Sequence, residues 1–296
     1  MRLTAYLILD FDILLNDDIL IHRLERIMNI KKLEEHALHI RQSIVEMVYA
    51  AGSGHIGGSL SGSDILTYLY FEAMKIDENN VESNQRDRFV LSKGHASPLL
   101  YGTLMEKGLL DKALIPEFRQ VNSILEGHPC RNSVPGVDAT TGSLGQGISQ
   151  AVGMAMANKY DKSDYKVFSL LGDGESQEGQ VWEAAMAAAH FKLDNLCVFL
   201  DFNQLQIDGD IKEVMNPIPL DKKFEAFGWK VIEIDGHNFE EIAAAVKLAN
   251  ETKGQPTLVL ANTIKGKGVS FMENEAGWHG VAPSAEQFEL AMKELV

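Results

Sequence analysis

The chain has 296 residues, 45% of them hydrophobic, a size and an apolar content that one α/β domain with long loops accommodates. A formal net charge of -15 argues against non-specific binding to nucleic acid or anionic membranes, and no uncharged apolar run approaches the roughly 18 residues of a transmembrane helix. The two cysteines are Cys130 and Cys197, the latter inside a buried-looking strand, which argues against a disulfide framework and fits a reducing cytoplasm.

Residues 1–27 read differently from the rest. Leu3 to Leu9 is apolar, but Asp10, Asp12, Asp17 and Asp18 interrupt the next stretch, so the segment is too short and too acidic in its flanks for a secretory signal. Met28-Asn-Ile-Lys-Lys32 makes a natural helix start. Residues 1–27 are therefore read as an extension or a mis-assigned start, with a helical partner-docking segment as the other reading. From Lys31 to Ala50, Leu33, Ala37, Ile40, Ile44, Met47 and Val48 recur at helical spacing with one buried face. The helix stops at Ala51-Gly-Ser-Gly-His-Ile-Gly-Gly-Ser-Leu60, where glycines let backbone approach something closely. His55 lies among them, either as a solvated loop residue or as a ligand.

Ser63 to Phe71 is a second helix, with Ser61 or Ser63 as its N-cap. Arg88 to Ser92 is a short strand running into Lys93-Gly-His95. A helix over Ser97 to Met105 comes next, and Leu125-Glu-Gly-His-Pro129 supplies a third histidine in a turn. Zinc sites show tight pairs such as His-x3-His, and none occurs among His55, His95 and His128. A pocket lined by imidazoles for acid–base and anion contacts is the better reading. Asp138-Ala-Thr-Thr-Gly-Ser-Leu-Gly-Gln-Gly147 precedes a small-residue helix, Ile148 to Asn158. Its glycines suit a phosphate at a helix N-terminus, or simply close helix packing through Gly145, Gly147, Ala151, Gly153 and Ala155.

The centre of the chain is strand, helix, strand: Val167 to Leu171, Val181 to His190, and Leu196 to Leu200. Gly172-Asp173-Gly174 follows the first strand and Asp201-Phe-Asn203 ends the second. Open parallel sheets bind ligands beyond the carboxyl ends of their strands. Asp173 and Asn203 meeting there suit Mg2+ or Ca2+, which prefer hard oxygen ligands and, for Mg2+, complete the shell with phosphates and water. Further on come a turn at Leu205 to Gly209, a helix ending near Trp229, and a strand from Lys230 to Asp235. Gly236-His237 is next, with His237 read as a loop residue. A helix over Phe239 to Ala249 precedes a strand from Pro256 to Asn262. The chain closes with Gly277-Trp-His279-Gly280 and a short helix, Ser284 to Leu295. The alternation predicts an α/β fold with a doubly wound, mostly parallel sheet flanked by helices.

From about Met28 to Val296 these residues resemble the transketolase family of thiamine diphosphate enzymes. The carriers are Gly172-Asp173-Gly174 with Asn203, Gly-Asp-Gly-x-x-x-Glu-Gly (172–179), Thr-Thr-Gly-Ser-Leu-Gly-Gln-Gly (140–147), Ser-Lys-Gly-His (92–95), Glu-Gly-His-Pro (126–129) and Ser-Gly-His (53–55). The resemblance implies a thiamine diphosphate-binding fold over 28–296, with Mg2+ or Ca2+ held by Asp173, Asn203 and the carbonyl of Leu205. It implies cofactor contacts from His95, His128, Gly142, Leu144, Gly172, Gly174, Glu175 and Asn203. His95 and His128 resemble the pair near the diphosphate and thiazolium. His55 and His279 resemble the histidines that face substrate hydroxyls and take part in proton transfer. Glu178 resembles the carboxylate at the contact between subunits that helps relay a proton toward the aminopyrimidine, and it also suits a helix N-terminus. Ile56 stands where the family usually has Pro.

A full transketolase is about twice this length. The resemblance therefore implies the N-terminal subunit of a split transketolase. Such a chain carries out two-carbon ketol transfer between sugar phosphates only with a second chain holding the pyrimidine and C-terminal domains, as a two-plus-two heterotetramer. Two other readings stand beside it: half of a deoxyxylulose-phosphate synthase-like or 2-oxo acid decarboxylating enzyme, and a non-catalytic regulatory fragment.

Overall fold

The computed structural model describes residues 28–296. The reading of residues 1–27 lies outside the described residues. Helix α1 occupies 28–51, and its Leu33, Ala37, Ile40, Ile44 and Met47 are all in the core. Two short helices come after it, α2 (Ile56–Ser61) and α3 (Ser63–Tyr68), the latter running into a wider turn at Leu69–Ala73. Strand β1 (Arg88–Leu91) and helix α4 (Ser97–Glu106) come next, then α5 (Gln146–Asp161), β2 (Val167–Gly172), α6 (Gly179–His190) and β3 (Leu196–Phe202). A two-stranded hairpin, β4 (Leu205–Gln206) and β5 (Gly209–Asp210), leads to α7 (Ile211–Met215) and α8 (Leu220–Ala226). The fold closes with β6 (Lys230–Asp235), α9 (Phe239–Glu251), β7 (Thr257–Asn262) and α10 (Ala285–Glu294).

The five long strands form one sheet in the order β1-β2-β3-β7-β6, and every pairing is parallel. Side chains alternate across a strand, so a strand buried on both faces is apolar throughout. In β3, Cys197 and Phe199 enter one core with α1–α4 and α9, while Leu196, Val198 and Leu200 enter the other with α5, α6 and α8. The result is the predicted doubly wound sheet between two helical layers. Helix ends are fixed locally: Asn238 caps α9 by accepting from the N–H groups of Glu240 and Glu241, and Ser284 and Gln287 form a reciprocal capping box at α10.

Two expectations fail locally: part of the glycine-rich stretch read as a loop, Ile56–Ser61, is helical, and the N-cap of α3 is not a serine. Neither Ser61 nor Ser63 caps α3, whose N-cap is Gly62. The Ser61 hydroxyl instead donates to Asp201 at 2.6 Å, and that of Ser63 donates to the Ser59 carbonyl at 3.3 Å. A long-range carboxylate in a buried site outcompetes the local cap. Among the described residues, no helix is long and apolar enough to cross a membrane.

Candidate active site

The parallel sheet puts the carboxyl ends of β1, β2, β3 and β7 along one rim, and the loops leaving them enclose a cleft of about 340 Å³. β1 delivers Lys93 and His95, and β2 delivers Gly172, Asp173, Gly174 and Glu175. β3 delivers Asn203 and Leu205, and β7 delivers Lys265. His55 from the start of α2, Glu178 from the start of α6, Gly142 and Leu144 from the turn before α5, and His279 also line it. His128 stands just behind, its ring 3.0 Å from where a Cβ on Gly142 would lie. Gly142 also has φ +154, so both backbone and space reserve that position for glycine.

Gly172 and Asp201 are paired across β2 and β3, which sets Asp173 and Asn203 one and two residues further along adjacent strands. The Asp173 carboxylate accepts from the N–H of Gly174 at 2.7 Å and from the N–H of Gln204. Gln204 has φ +63, and the kink there turns the chain into the hairpin that carries Leu205. Asn203 Oδ1 accepts from the Leu205 N–H at 3.1 Å. A carboxylate, an amide and a main-chain carbonyl thus gather at one end of the cleft, a donor set of oxygens that fits Mg2+ or Ca2+. Burial, and then the negative charge of Asp201, push the Asp173 carboxyl up to about 7. A buried acid in that condition is one that a divalent cation would keep ionised.

Beneath it, Asp201 is fully buried and accepts from Ser61, Thr263, Lys93 and the Asn203 amide. Burial alone would raise its carboxyl. The Lys93 ammonium and the hydrogen bonds outweigh burial and hold it below the usual range. Lys93 also donates to the Gly58 carbonyl at 2.6 Å, tying α2 to the ends of β1 and β3. Lys265 donates to the Leu205 carbonyl at 3.1 Å and lies 2.9 Å from His279 Nδ1. Burial is the main reason its amine is lowered to about 8, still mostly cationic at neutral pH. Sequence alone assigns neither lysine a role. The available signal is a lysine directly after a strand end beside glycine, in Ser-Lys-Gly-His and Ile-Lys-Gly-Lys-Gly.

His55, His95 and His279 form a triangle with ring centroids 5.1, 5.3 and 5.4 Å apart. Burial is the first cause of depression in all three; neighbouring positive groups add to it. His55 falls to about 4 with Arg119, and His279 to about 3 with Lys265. His95 falls well below its ordinary value with Lys93. The rings are neutral at pH 7, each able to donate or accept a proton. His55 Nδ1 is buried with no hydrogen-bond partner, a group available to a ligand. His128 is likewise lowered, by burial and then by Arg119.

Glu175 turns its carboxylate inward, accepting from Ser92 at 2.6 Å and from the N–H groups of Gly145 at 2.9 Å and Gly172 at 3.0 Å. Ser92 in turn accepts from the N–H of Ile148 at 3.0 Å, so N–H groups at the start of α5 are satisfied internally. A Cβ on Gly147 would lie 2.5 Å from Ser92 Cα. Of the two readings of that glycine turn, close packing describes Gly145 and Gly147, while Gly142 and Leu144 face the cleft. His237 does not line the cleft. Its Nδ1 meets Asp64 at 2.7 Å and its Nε2 accepts from the Ile264 N–H at 2.8 Å, pinning the loop that carries Lys265.

Residues 33–295 match the family model described as transketolase, thiamine diphosphate binding domain. The chain is 45% identical over 268 residues to an apulose-4-phosphate transketolase subunit of Phocaeicola vulgatus, covering 90% of this chain and 95% of that protein. It is 46% identical over 264 residues to a 6-deoxy-6-sulfo-D-fructose transketolase subunit of a Clostridium species, covering 89% and 96%. Among solved structures, the transketolase of Campylobacter jejuni superposes with a TM-score of 0.84 at 37% identity. That match covers 89% of this chain but 42% of the longer one.

Proposed function

This chain belongs to the transketolase family through its thiamine diphosphate binding domain, and from that premise we propose that it supplies the metal-diphosphate half of a two-chain ketol-transfer enzyme. The observation that carries the proposal is the donor set at the strand ends, Asp173, Asn203 and the Leu205 carbonyl, in one cleft with three neutral imidazoles and two buried lysines. The Phocaeicola and Clostridium relatives, each matched along nearly its whole length, are both named as transketolase subunits, which supports a partner chain. A symmetric pairing of two such pairs is the assembly we expect.

When bound, thiamine diphosphate supplies the nucleophilic carbon that takes up a two-carbon unit from a ketose. The protein's own part is binding, orientation and proton handling. Asp173, Asn203 and the Leu205 carbonyl would hold Mg2+, whose positive charge would favour binding of the diphosphate. The turns at Gly142–Leu144 and Gly172–Gly174 offer close backbone approach, and Lys265 adds positive charge. Glu175 braces those turns against β1 and α5 through its bonds to Ser92, Gly145 and Gly172. His95 and His128 border the diphosphate side. The neutral rings of His55 and His279 exchange protons with substrate hydroxyls at their ring nitrogens. We assign Glu178, exposed at the start of α6, to the contact with the partner chain, where its carboxylate would help relay a proton.

Both relatives are named for sugars bearing an anionic group, a phosphate in one and a sulfonate in the other. We assign the donor here to the same class, a ketose with a terminal phosphate or similar anion, in cytoplasmic carbohydrate metabolism. The test is a donor comparison in the reconstituted two-chain enzyme. Transfer from ketose phosphates with no turnover of pyruvate is expected. Turnover of pyruvate in place of ketose would move the chain to the 2-oxo acid branch of thiamine diphosphate enzymes.

A further inference from the structure

On the outer side of the α1–α4 layer, away from the cleft, three ligating groups converge. His36 and His39 are three residues apart on α1 and so share a helix face. Their Nδ1 atoms lie 2.9 and 3.0 Å from the same oxygen, Oε1 of Glu106, the last residue of α4. Glu106 is unusual for a surface-layer acid in that its side chain is only 8% exposed. Its second oxygen accepts from Lys112 at 2.6 Å. The His36 ring is held in orientation by stacking on Phe71, with centroids 3.9 Å apart and planes inclined by 20°. Lys107 lies 4.9 Å from the centre of that same Phe71 ring. Burial pushes the Glu106 carboxyl up, but the hydrogen bonds from Lys112, His36 and His39 together prevail and lower it.

We propose that His36, His39 and Glu106 form a second metal site, distinct from the cleft, that takes a borderline divalent transition ion such as Zn2+. All three ligand atoms lie within 4.8 Å of one another. Metal–ligand bonds of about 2.0–2.1 Å in a tetrahedron separate ligand atoms by roughly 3.3 Å. The two Nδ1–Oε1 separations therefore need to open by only a few tenths of an ångström to admit the ion. The ion replaces the Nδ1 protons that now point at Glu106. Each ring then carries a proton on Nε2, and any further proton displaced from Nδ1 passes to solvent, so the exchange balances. Two imidazoles and one carboxylate favour Zn2+, Ni2+ or Cu2+ over the hard cations that the oxygen donors of the cleft would select. Water completes the fourth position. Lys112 on the outer oxygen orients the carboxylate, the task of an outer-shell partner. The ion would clamp α1 to α4, the helix that leaves the Lys93-Gly94-His95 turn.

The test uses the full chain, stripped with EDTA and dialysed, then titrated with Zn2+ by calorimetry in excess Mg2+. Co2+ absorption reports the coordination number. One Zn2+ per chain is expected, with a four-coordinate Co2+ spectrum and a melting temperature that rises on addition of Zn2+. His39→Gln and, separately, His36→Gln should weaken binding by more than the roughly 10–100-fold that an outer-shell partner contributes. Each should abolish the thermal shift while leaving the metal-free circular dichroism spectrum unchanged. Two results would overturn the assignment: no saturable binding by the wild type, or binding undiminished in both variants, which would put the ion among the imidazoles of the cleft.

Discussion

Replacing Asp138 with Asn isolates the group that anchors the cleft wall to the sheet. Asp138 accepts four hydrogen bonds, from Arg86 Nη1 at 3.0 Å, Arg86 Nη2 at 2.9 Å, Arg88 Nη1 at 2.9 Å and the Phe89 N–H at 2.9 Å. The Arg86 and Asp138 side chains are only 3% and 4% exposed. Asparagine keeps one acceptor oxygen and turns an NH2 toward donors, so at most half of these bonds survive. It also leaves the Arg86 charge buried without an anion. Breaking a buried pair from one side costs about 3–5 kcal/mol, a large share of the roughly 5–15 kcal/mol that stabilises a domain. Urea unfolding at pH 7 measures this directly, and the loss should persist in high salt because buried charges are little screened. Glu225→Gln, which breaks the exposed Lys222–Glu225 pair, serves as the contrast and should leave the urea midpoint almost unchanged. Asp138 begins the turn that carries Gly142 and Leu144, so thiamine diphosphate affinity should fall together with stability. An Asp138→Asn protein within about 1 kcal/mol of wild type would refute the reasoning.

Three further outcomes are expected. Gly147→Ala places a Cβ 2.5 Å from Ser92 Cα, which is backbone and cannot step aside, and should destabilise by about 1–3 kcal/mol in urea unfolding. Burial would raise the Asp64 carboxyl, but Arg41 and then His237 outweigh it and hold it below the ordinary aspartate value. Its contribution is therefore complete above about pH 4 and lost as pH falls through the lower folded value, so the stability gap between wild type and Asp64→Asn should narrow only in that acid range. Asp173→Asn should abolish the Mg2+ dependence of thiamine diphosphate binding in calorimetry while leaving circular dichroism unchanged; undiminished Mg2+ dependence would remove Asp173 from the proposed ligand set.

Much of the fold was legible because the decisive strands are buried on both faces. Val167 to Leu171 is apolar except for Ser169 and Leu196 to Leu200 is apolar throughout, a pattern that short interior parallel strands between flanking helices use. The positions of Asp173 and Asn203 beyond those strands came from the same pattern. What sequence did not reveal was pairing over long separations. Nothing local says that Ser61 bonds to Asp201 rather than capping α3, or that Lys93 is buried against that same carboxylate. Glu175 sits in the expected segment, yet whether its carboxylate faces outward or toward Ser92 depends on how β1 and α5 meet. His237 reads as a loop residue until Asp64 and Ile264, from distant segments, close on its two nitrogens. His36 and His39 meet Glu106 only because α4 returns to lie against α1.

The most direct test of the central claim is a ketol-transfer assay with Mg2+, thiamine diphosphate and ketose phosphate. It is run on the purified chain alone and on the chain mixed with a second protein carrying the pyrimidine-binding domain. The expected result is no transfer by the chain alone and transfer by the mixture, lost again when the mixture contains Asp173→Asn. Transfer by the chain alone would contradict the account, because a second protein would then not be needed to hold the other end of the cofactor.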